Sequence, residues 1–119
     1  MKRILIVEDE QDIGFIMKKI LENDFIVDLM QTGEAIMKKE LTFLPHLFIV
    51  DRQLPGKDGF EICRFIKQDE EYAHIPVILM SANPDMVLDA GQVGADDTMV
   101  KPFDIEEMFS KVERLLKMN

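Results

Sequence analysis

Short apolar runs alternate with amphipathic stretches along the whole chain. Four runs are too short and too rich in β-branched residues for helices, and each ends at a polar residue. Such runs are typical of strands buried on both faces of a sheet. They cover residues 4–7, 47–50, 77–80 and 99–100. Residues 25–30 alternate more strongly between apolar and polar positions, which favours an edge strand. The pattern therefore predicts five strands.

Apolar residues at helical spacing fill the segments between and after these strands. Asp58 and Asp104 each precede a glutamate by three residues, which is capping-box spacing. Asn83 followed by Pro84 predicts the start of a fourth helix, and residues 32–34 predict the start of the second. The clearest helical positions are Ile13, Ile16, Met17, Ile20 and Leu21, then Phe60, Cys63 and Ile66, then Ile105, Met108, Val112 and Leu115.

A strand followed by a helix, five times over, predicts a parallel sheet covered by helices on both faces. Right-handed crossovers and a length of 119 residues favour an α/β flavodoxin-like (βα)5 three-layer sandwich with strand order 2-1-3-4-5. We expect a single domain over residues 1–119. In this order strands 1 and 3 are neighbours, and ligands bind at the carboxyl ends of the strands beside them.

The chain is acidic, with 14 Lys and Arg against 23 Asp and Glu and a formal net charge of −9. Such a domain repels nucleic-acid phosphates and anionic membranes, so neither is an expected partner. With one cysteine, an internal disulfide is excluded, and a cytoplasmic location fits. The N-terminal apolar run is too short for a signal peptide, and no stretch approaches the length of a membrane span.

Polar residues follow four of the five predicted strands. Glu8 and Asp9 follow the first strand, and Asp51 follows the third. Ser81 and Lys101 follow the fourth and fifth strands. Because the carboxyl ends of parallel strands meet at one edge, these side chains should converge there. Crowded carboxylates repel one another, and Mg²⁺ with oxygen ligands relieves that repulsion. An aspartate at such a site can attack a phosphoryl group and hold it as an acyl phosphate.

Five short motifs accompany these strands: ILIVEDE at 4–10, VDRQLPGKDG at 50–59, MSA at 80–82, GADD at 94–97 and KPF at 101–103. Together, and in this order, they resemble the receiver domains of two-component response regulators. The resemblance covers about residues 2–117. Any one of the motifs alone is a weak signal, whereas the ordered set is a strong one.

The resemblance implies a metal and phosphoryl site. It makes Asp51 the phosphoacceptor and Asp9 the main acidic Mg²⁺ ligand, with Glu8 acting through a water molecule. The backbone carbonyl of Gln53 would complete the metal shell together with Asp51, and Mn²⁺ is an alternative ion. Gln53 and Asn83 would also tune how easily water reaches the acyl phosphate.

The other matched positions are implied in catalysis and in the conformational switch. Lys101 would bind the phosphoryl group, and Ser81 would be the switch hydroxyl, followed by Ala82. The peptide bond before Pro102 is usually cis in this family. One position departs from the family, which usually has Tyr or Phe where this chain has Thr98. Threonine cannot fill the volume of the ring. The family's usual conformational signal through strand 5 is therefore not expected to operate in the standard way, whereas the phosphorylation chemistry is expected to be unaffected.

The implied function is a phosphoacceptor module rather than an enzyme acting on an external substrate. It would take a phosphoryl group from a sensor histidine kinase or a histidine phosphotransfer protein, lose it slowly by itself, and control a downstream protein or a linked output domain. The first helix and the strand-end loops would dock the donor. Helix 4, strand 5 and helix 5 would carry output or form a homodimer.

Two other classes fit the fold less well. An aspartyl-nucleophile phosphatase typically needs an acid two residues after the nucleophile, and Gln53 cannot serve as one. A flavin or nucleotide carrier needs a phosphate-binding loop after strand 1, whereas four of the five residues 8–12 are acidic.

Several side chains have plainer interpretations. Cys63 is expected to be a small buried hydrophobe, and His46 and His74 are expected at the surface. The adjacent apolar residues 86–88, with Met99 nearby, predict an exposed apolar patch beside strand 5.

Overall fold

The computed structural model describes residues 1–117. Within this range, five strands alternate with five helices. The strands are β1 Arg3–Val7, β2 Ile26–Met30, β3 Leu47–Asp51, β4 Val77–Ser81 and β5 Asp97–Val100. The helices are α1 Gln11–Leu21, α2 Glu34–Met37, α3 Gly59–Gln68, α4 Met86–Ala90 and α5 Ile105–Lys117, with a 3₁₀ turn at Gly91–Val93.

All neighbouring strands are parallel, in the order β2-β1-β3-β4-β5. This confirms the predicted fold class and strand order. Val7 of β1 lies beside Val50 of β3, and Asp51 of β3 lies beside Met80 of β4. The carboxyl ends of the three central strands are therefore almost level, and the residues that follow them meet at one edge.

Successive strand residues face opposite sides of the sheet, which gives the molecule two apolar cores. Leu5 and Val7 face α2, α3 and α4, whereas Ile4 and Ile6 face α1 and α5. All four are fully buried. Each fully buried aliphatic side chain contributes about 1.5–3 kcal/mol, so the two cores hold the five strands in a fixed register.

The start of α3 follows its predicted cap. The Asp58 carboxylate accepts hydrogen bonds from the backbone N–H groups of Phe60 and Glu61 at 2.8 and 3.1 Å. The second helix also begins as predicted, with the Glu34 N–H donating to the Thr32 hydroxyl at 3.3 Å.

The predicted start of the fourth helix is wrong. Asn83 does not cap a helix, because α4 begins only at Met86. The side-chain oxygen of Asn83 accepts a hydrogen bond from the Asp85 N–H at 2.9 Å. The backbone carbonyl of Asn83 accepts one from the Met86 N–H at 3.1 Å. These local bonds fold residues 83–85 into a turn, which competes with helix formation.

The predicted exposed patch needs a correction as well. Met99 is only 1% exposed, because it faces the core under α1 and α5. Val87 and Leu88 are 46% and 81% exposed, whereas Met86 is buried. The exposed apolar patch therefore includes Val87 and Leu88 of α4 but not Met99.

The expectations for Cys63, His46 and His74 are confirmed. Cys63 is fully buried, and desolvation raises the pKa of its thiol to about 11. His46 and His74 are exposed. No helix within residues 1–117 is both long and apolar enough to cross a membrane.

Candidate functional site

Three acidic residues meet at the carboxyl edge of the sheet. Glu8 and Asp9 follow β1, and Asp51 is the last residue of β3. One carboxylate oxygen from each lies within 4.8 Å of the others. The backbone N–H of Glu8 donates to the Met30 carbonyl at 2.9 Å, so the strand ladder continues to the edge of the cluster. The structure thus brings together the acids that the strand ends predicted.

Lys101 joins two of these acids. Its ammonium lies 2.6 Å from Glu8 Oε1 and 2.9 Å from Asp51 Oδ2. The side chain of Lys101 is 13% exposed, and those of Glu8 and Asp51 are 0% and 3% exposed. The Lys101 N–H donates to the Ser81 carbonyl at 2.8 Å, so the end of β4 holds the lysine backbone in place.

Burial and crowding set the electrostatics of the cluster. The pKa of Glu8 is raised to about 7, chiefly by desolvation and also by the nearby Asp51, whereas Lys101 and the Glu10 N–H act to lower it. Burial alone would lower the pKa of Lys101, but its bonds to Glu8 and Asp51 outweigh burial and raise it. Three carboxylates against one ammonium leave negative charge uncompensated, and an all-oxygen donor set suits Mg²⁺. The residues present therefore fit a magnesium ion.

The turn after β3 orients the Asp51 carboxylate. Asp51 Oδ1 accepts the Gln53 N–H at 3.1 Å, and the Arg52 carbonyl accepts the Gly59 N–H at 2.8 Å. A Cβ atom on Gly59 would lie 2.3 Å from the Asp51 carbonyl oxygen. Only glycine lets α3 approach the end of β3 so closely. The sequence motif at 50–59 contains Gly59 without revealing this contact, although its place directly after the capping Asp58 was a usable signal.

Ser81 and the residues after it form the next loop along the edge. Ser81 is fully buried at the end of β4, and its hydroxyl accepts the Asn83 N–H at 3.0 Å. Because Met80 lies beside Asp51, Ser81 stands one residue beyond the level of Asp51. Ala82 is exposed and lines a neighbouring cleft.

Thr98 and Pro102 belong to the fifth strand and the loop that follows it. The Thr98 carbonyl accepts a hydrogen bond from the Lys111 ammonium, and Asp97 pairs with Lys111 and Arg114. These contacts attach β5 to α5. The Lys101–Pro102 peptide bond is cis, as the resemblance implied.

An apolar cleft of about 540 Å³ opens beside the site, between α1 and the chain that follows β5. Ile13, Ile16 and Ile20 line one side, and Pro102 and Phe103 line the other. Ile16 is 55% exposed although it shares the apolar stripe of α1 with the buried Met17 and Leu21. The stripe is thus divided between the core and this open cleft.

A five-stranded parallel sheet with an acidic cluster and a partly buried lysine at its carboxyl edge forms a site that could bind a metal ion. The response regulator receiver domain family matches residues 4–113, and the chain belongs to this family. It is accordingly a receiver domain of a two-component response regulator, a signalling protein, and nothing favours the phosphatase alternative.

Curated relatives and solved structures of similar sequence are also response regulators or receiver domains. Response regulator ArlR of Staphylococcus epidermidis is 40% identical over 119 residues, which is 98% of this chain and 53% of that protein. The chain thus spans about half the length of the curated relatives it matches. The structure of response regulator TrrA from Thermotoga maritima, in complex with Mg²⁺-BeF, has a TM-score of 0.86 and 33% identity, covering 98% of this chain and 100% of that one. The receiver domain of a histidine kinase from Syntrophus aciditrophicus has a TM-score of 0.89 and 32% identity, covering 98% and 91%.

Proposed function

We propose that this chain accepts a phosphoryl group on Asp51 in a Mg²⁺-dependent reaction and thereby changes its affinity for a protein partner. The observation that carries the proposal is the buried Asp51 carboxylate with the Lys101 ammonium 2.9 Å away, at an edge where three carboxylates meet. The complex of the similar TrrA with Mg²⁺-BeF supports it.

The residues divide the work of phosphoryl transfer. An Asp51 oxygen attacks phosphorus, the P–N bond of a phosphohistidine donor breaks, and its electron pair returns to the imidazole. The Gln53 N–H holds the other Asp51 oxygen, which aims the carboxylate. Asp9, Asp51 and the Gln53 carbonyl would hold Mg²⁺, with Glu8 bound through water and Mn²⁺ as an alternative ion. The metal supplies neutralisation of the phosphoryl charge.

Lys101 and Ser81 act on the phosphoryl oxygens that remain. Lys101 neutralises one oxygen with its ammonium, and the Ser81 hydroxyl donates to another. Gln53 lies in the loop after β3 and Asn83 in the loop after β4, and neither side chain is an acid or a base. Water is therefore activated poorly, and the acyl phosphate is lost slowly.

The proposal extends to partners. A histidine kinase or histidine phosphotransfer protein would dock at α1 and the apolar cleft. Output would pass through α4, β5 and α5 to a downstream protein, to a linked output domain or to a second copy of the chain. Residues 1–119 would act as one domain in the cytoplasm, where the thiol of Cys63 stays reduced.

Phosphoryl labelling of the purified chain tests the acceptor. Incubation with acetyl phosphate and Mg²⁺ should add the mass of one phosphoryl group, as measured by intact mass spectrometry, and EDTA should prevent it. Asp51→Asn should abolish the addition, because an amide does not attack phosphorus. The matched control is Asp89→Asn, an exposed position on α4, which should label like the wild type. Labelling of Asp51→Asn at the wild-type level would place the acceptor elsewhere.

A further inference from the structure

We propose that His46 is an acid-sensitive clasp: its neutral imidazole attaches the segment before β3 to β1, and protonation of the ring releases that segment. The segment, residues 38–46, lies between α2 and β3 and contains no helix or strand. The clasp stands at the amino edge of the sheet, opposite the acidic cluster. The inference therefore goes beyond the proposed function and does not depend on it.

Arg3 and His46 are joined by hydrogen bonds that run in opposite directions. The Arg3 N–H donates to His46 Nδ1 at 2.9 Å, and the His46 N–H donates to the Arg3 carbonyl at 2.7 Å. Because Nδ1 accepts, it carries no proton here, and the ring proton of the neutral imidazole is on Nε2. A proton added to Nδ1 would face the Arg3 N–H, donor against donor. Protonation therefore breaks this bond.

The charges around His46 favour its neutral form. Desolvation, followed by the positive charges of Lys2 and the Met1 amino group, lowers the pKa of the imidazole. The Asp28 carboxylate of β2 is occupied by Arg3, whose Nε lies 2.7 Å from Oδ2 and whose Nη2 lies 3.3 Å from Oδ1. Within residues 1–117 no carboxylate pairs with His46, so the protonated ring has no counter-charge.

The other end of the segment stays attached when the pH falls. The Lys39 ammonium lies 2.7 Å from Asp69 Oδ2 and 2.8 Å from Glu71 Oε1. Hydrogen bonds to these acids raise the pKa of Lys39, and the bond from Lys39 lowers the pKa of Asp69. This pair therefore stays charged throughout the range in which histidine titrates. Acid acts on the segment at its His46 end.

Hydrogen exchange of the Arg3 amide, measured by NMR, tests the clasp in the wild-type chain. The protection factor, which corrects for the pH dependence of exchange in a free peptide, should fall at least about threefold between about pH 7.5 and about pH 5.5. The Ile26 N–H, which donates to the Lys2 carbonyl at 3.0 Å on the same edge, should change by less than about twofold. A constant Arg3 protection factor, or an equal fall at Ile26, would overturn the inference.

Asparagine at position 46 separates the acceptor from the titration. Its Oδ1 atom can take the place of His46 Nδ1 and accept the Arg3 N–H, but it binds no proton in this pH range. His46→Asn should therefore keep the high Arg3 protection factor at both pH values. His74→Asn removes the other histidine, which is also exposed, and should keep the wild-type response. A fall in His46→Asn as large as that in the wild type would overturn the role of His46.

Urea unfolding measures the consequence of the clasp for the whole chain. Because the pKa of His46 is lowered in the folded state, the unfolded chain binds the proton more readily, and stability falls as the pH drops through the ordinary histidine value of 6.5. The urea midpoint of the wild type should therefore fall relative to that of His46→Asn between the two pH values. Glu8 titrates near the same range in both proteins, so its contribution cancels in the difference. A difference that stays constant, or that favours the wild type more strongly at low pH, would contradict the clasp.

Discussion

The backbone of Thr98 links β5 to its neighbours. Its carbonyl accepts a hydrogen bond from Lys111, and it lies beside Leu79 of β4, two residues before Ser81. The side chain is a small group where the family usually carries a ring. These contacts point toward α5 and not toward Asp51, which separates position 98 from the phosphoryl chemistry.

We therefore expect Thr98→Tyr to leave phosphorylation unchanged. The rate of labelling by acetyl phosphate, followed by intact mass, should match the wild type. Ser81→Ala serves as the contrast, because it removes a hydroxyl at the end of β4, one residue beyond the level of Asp51, and should slow the labelling. Loss of labelling in Thr98→Tyr would show that this position acts on the chemistry itself.

Single residues differ in how far the sequence reveals them. Glu8, Asp9, Asp51 and Lys101 were predictable because each ends an apolar run, and parallel strands bring such ends together. The pairing of Lys101 with Glu8 was not predictable, because it joins side chains 93 positions apart and depends on their rotamers.

At the scale of elements, α3 and the end of β3 depend on a close contact. A Cβ atom on Gly59 would lie 2.3 Å from the Asp51 carbonyl oxygen and 2.6 Å from the Arg52 Cα. Both are backbone atoms, so a side chain at position 59 would force the backbone to shift. Gly91, at the end of α4, has no atom within 4 Å of its Cβ position and has a helical φ of −63°.

This pair of glycines gives opposite expectations for substitution by alanine. Gly59→Ala should lower the free energy of unfolding by about 1–3 kcal/mol, as overpacking does, and should slow phosphoryl labelling by shifting Asp51. Gly91→Ala should leave stability unchanged or raise it by up to about 1 kcal/mol. Urea unfolding followed by circular dichroism measures both. Equal stability of the two variants would contradict the contact.

The elements also show where pattern reasoning fails. Strands and long helices were predictable from apolar spacing, because burial on one or both faces imposes it. The start of α4 was misplaced, since Asn83 bonds its own loop. Met99 was assigned to the wrong surface because the predicted fifth strand had only two residues, too few to reveal which side each one faces. The end of α2 could not be predicted from the sequence. Lys39 ends it with a φ of 59°, a conformation that usually requires glycine. The Lys39 ammonium forms ion pairs with Asp69 and Glu71.

For the whole molecule, the acidic cluster couples metal binding to stability. A ligand that binds only the folded state stabilises it by about 1.4 kcal/mol at ten times its dissociation constant. Mg²⁺ at that concentration should raise the melting temperature of the chain by several degrees. Asp9→Asn should largely remove the rise, because Asp9 is the accessible acid of the cluster. Differential scanning fluorimetry in MgCl₂, with matched ionic strength in KCl, makes the comparison. An equal rise in Asp9→Asn would place the metal elsewhere.

The distance in sequence between Glu8 and Lys101 has a consequence for how the protein is made. During synthesis, the acids of β1 and β3 emerge well before β5, and an incomplete chain has no ammonium to pair with them. A chain whose β5 has not yet joined the sheet lacks the Lys101 contacts to Glu8 and Asp51. Under the proposed function, we therefore expect a chain that stops before β5 to be phosphorylated poorly.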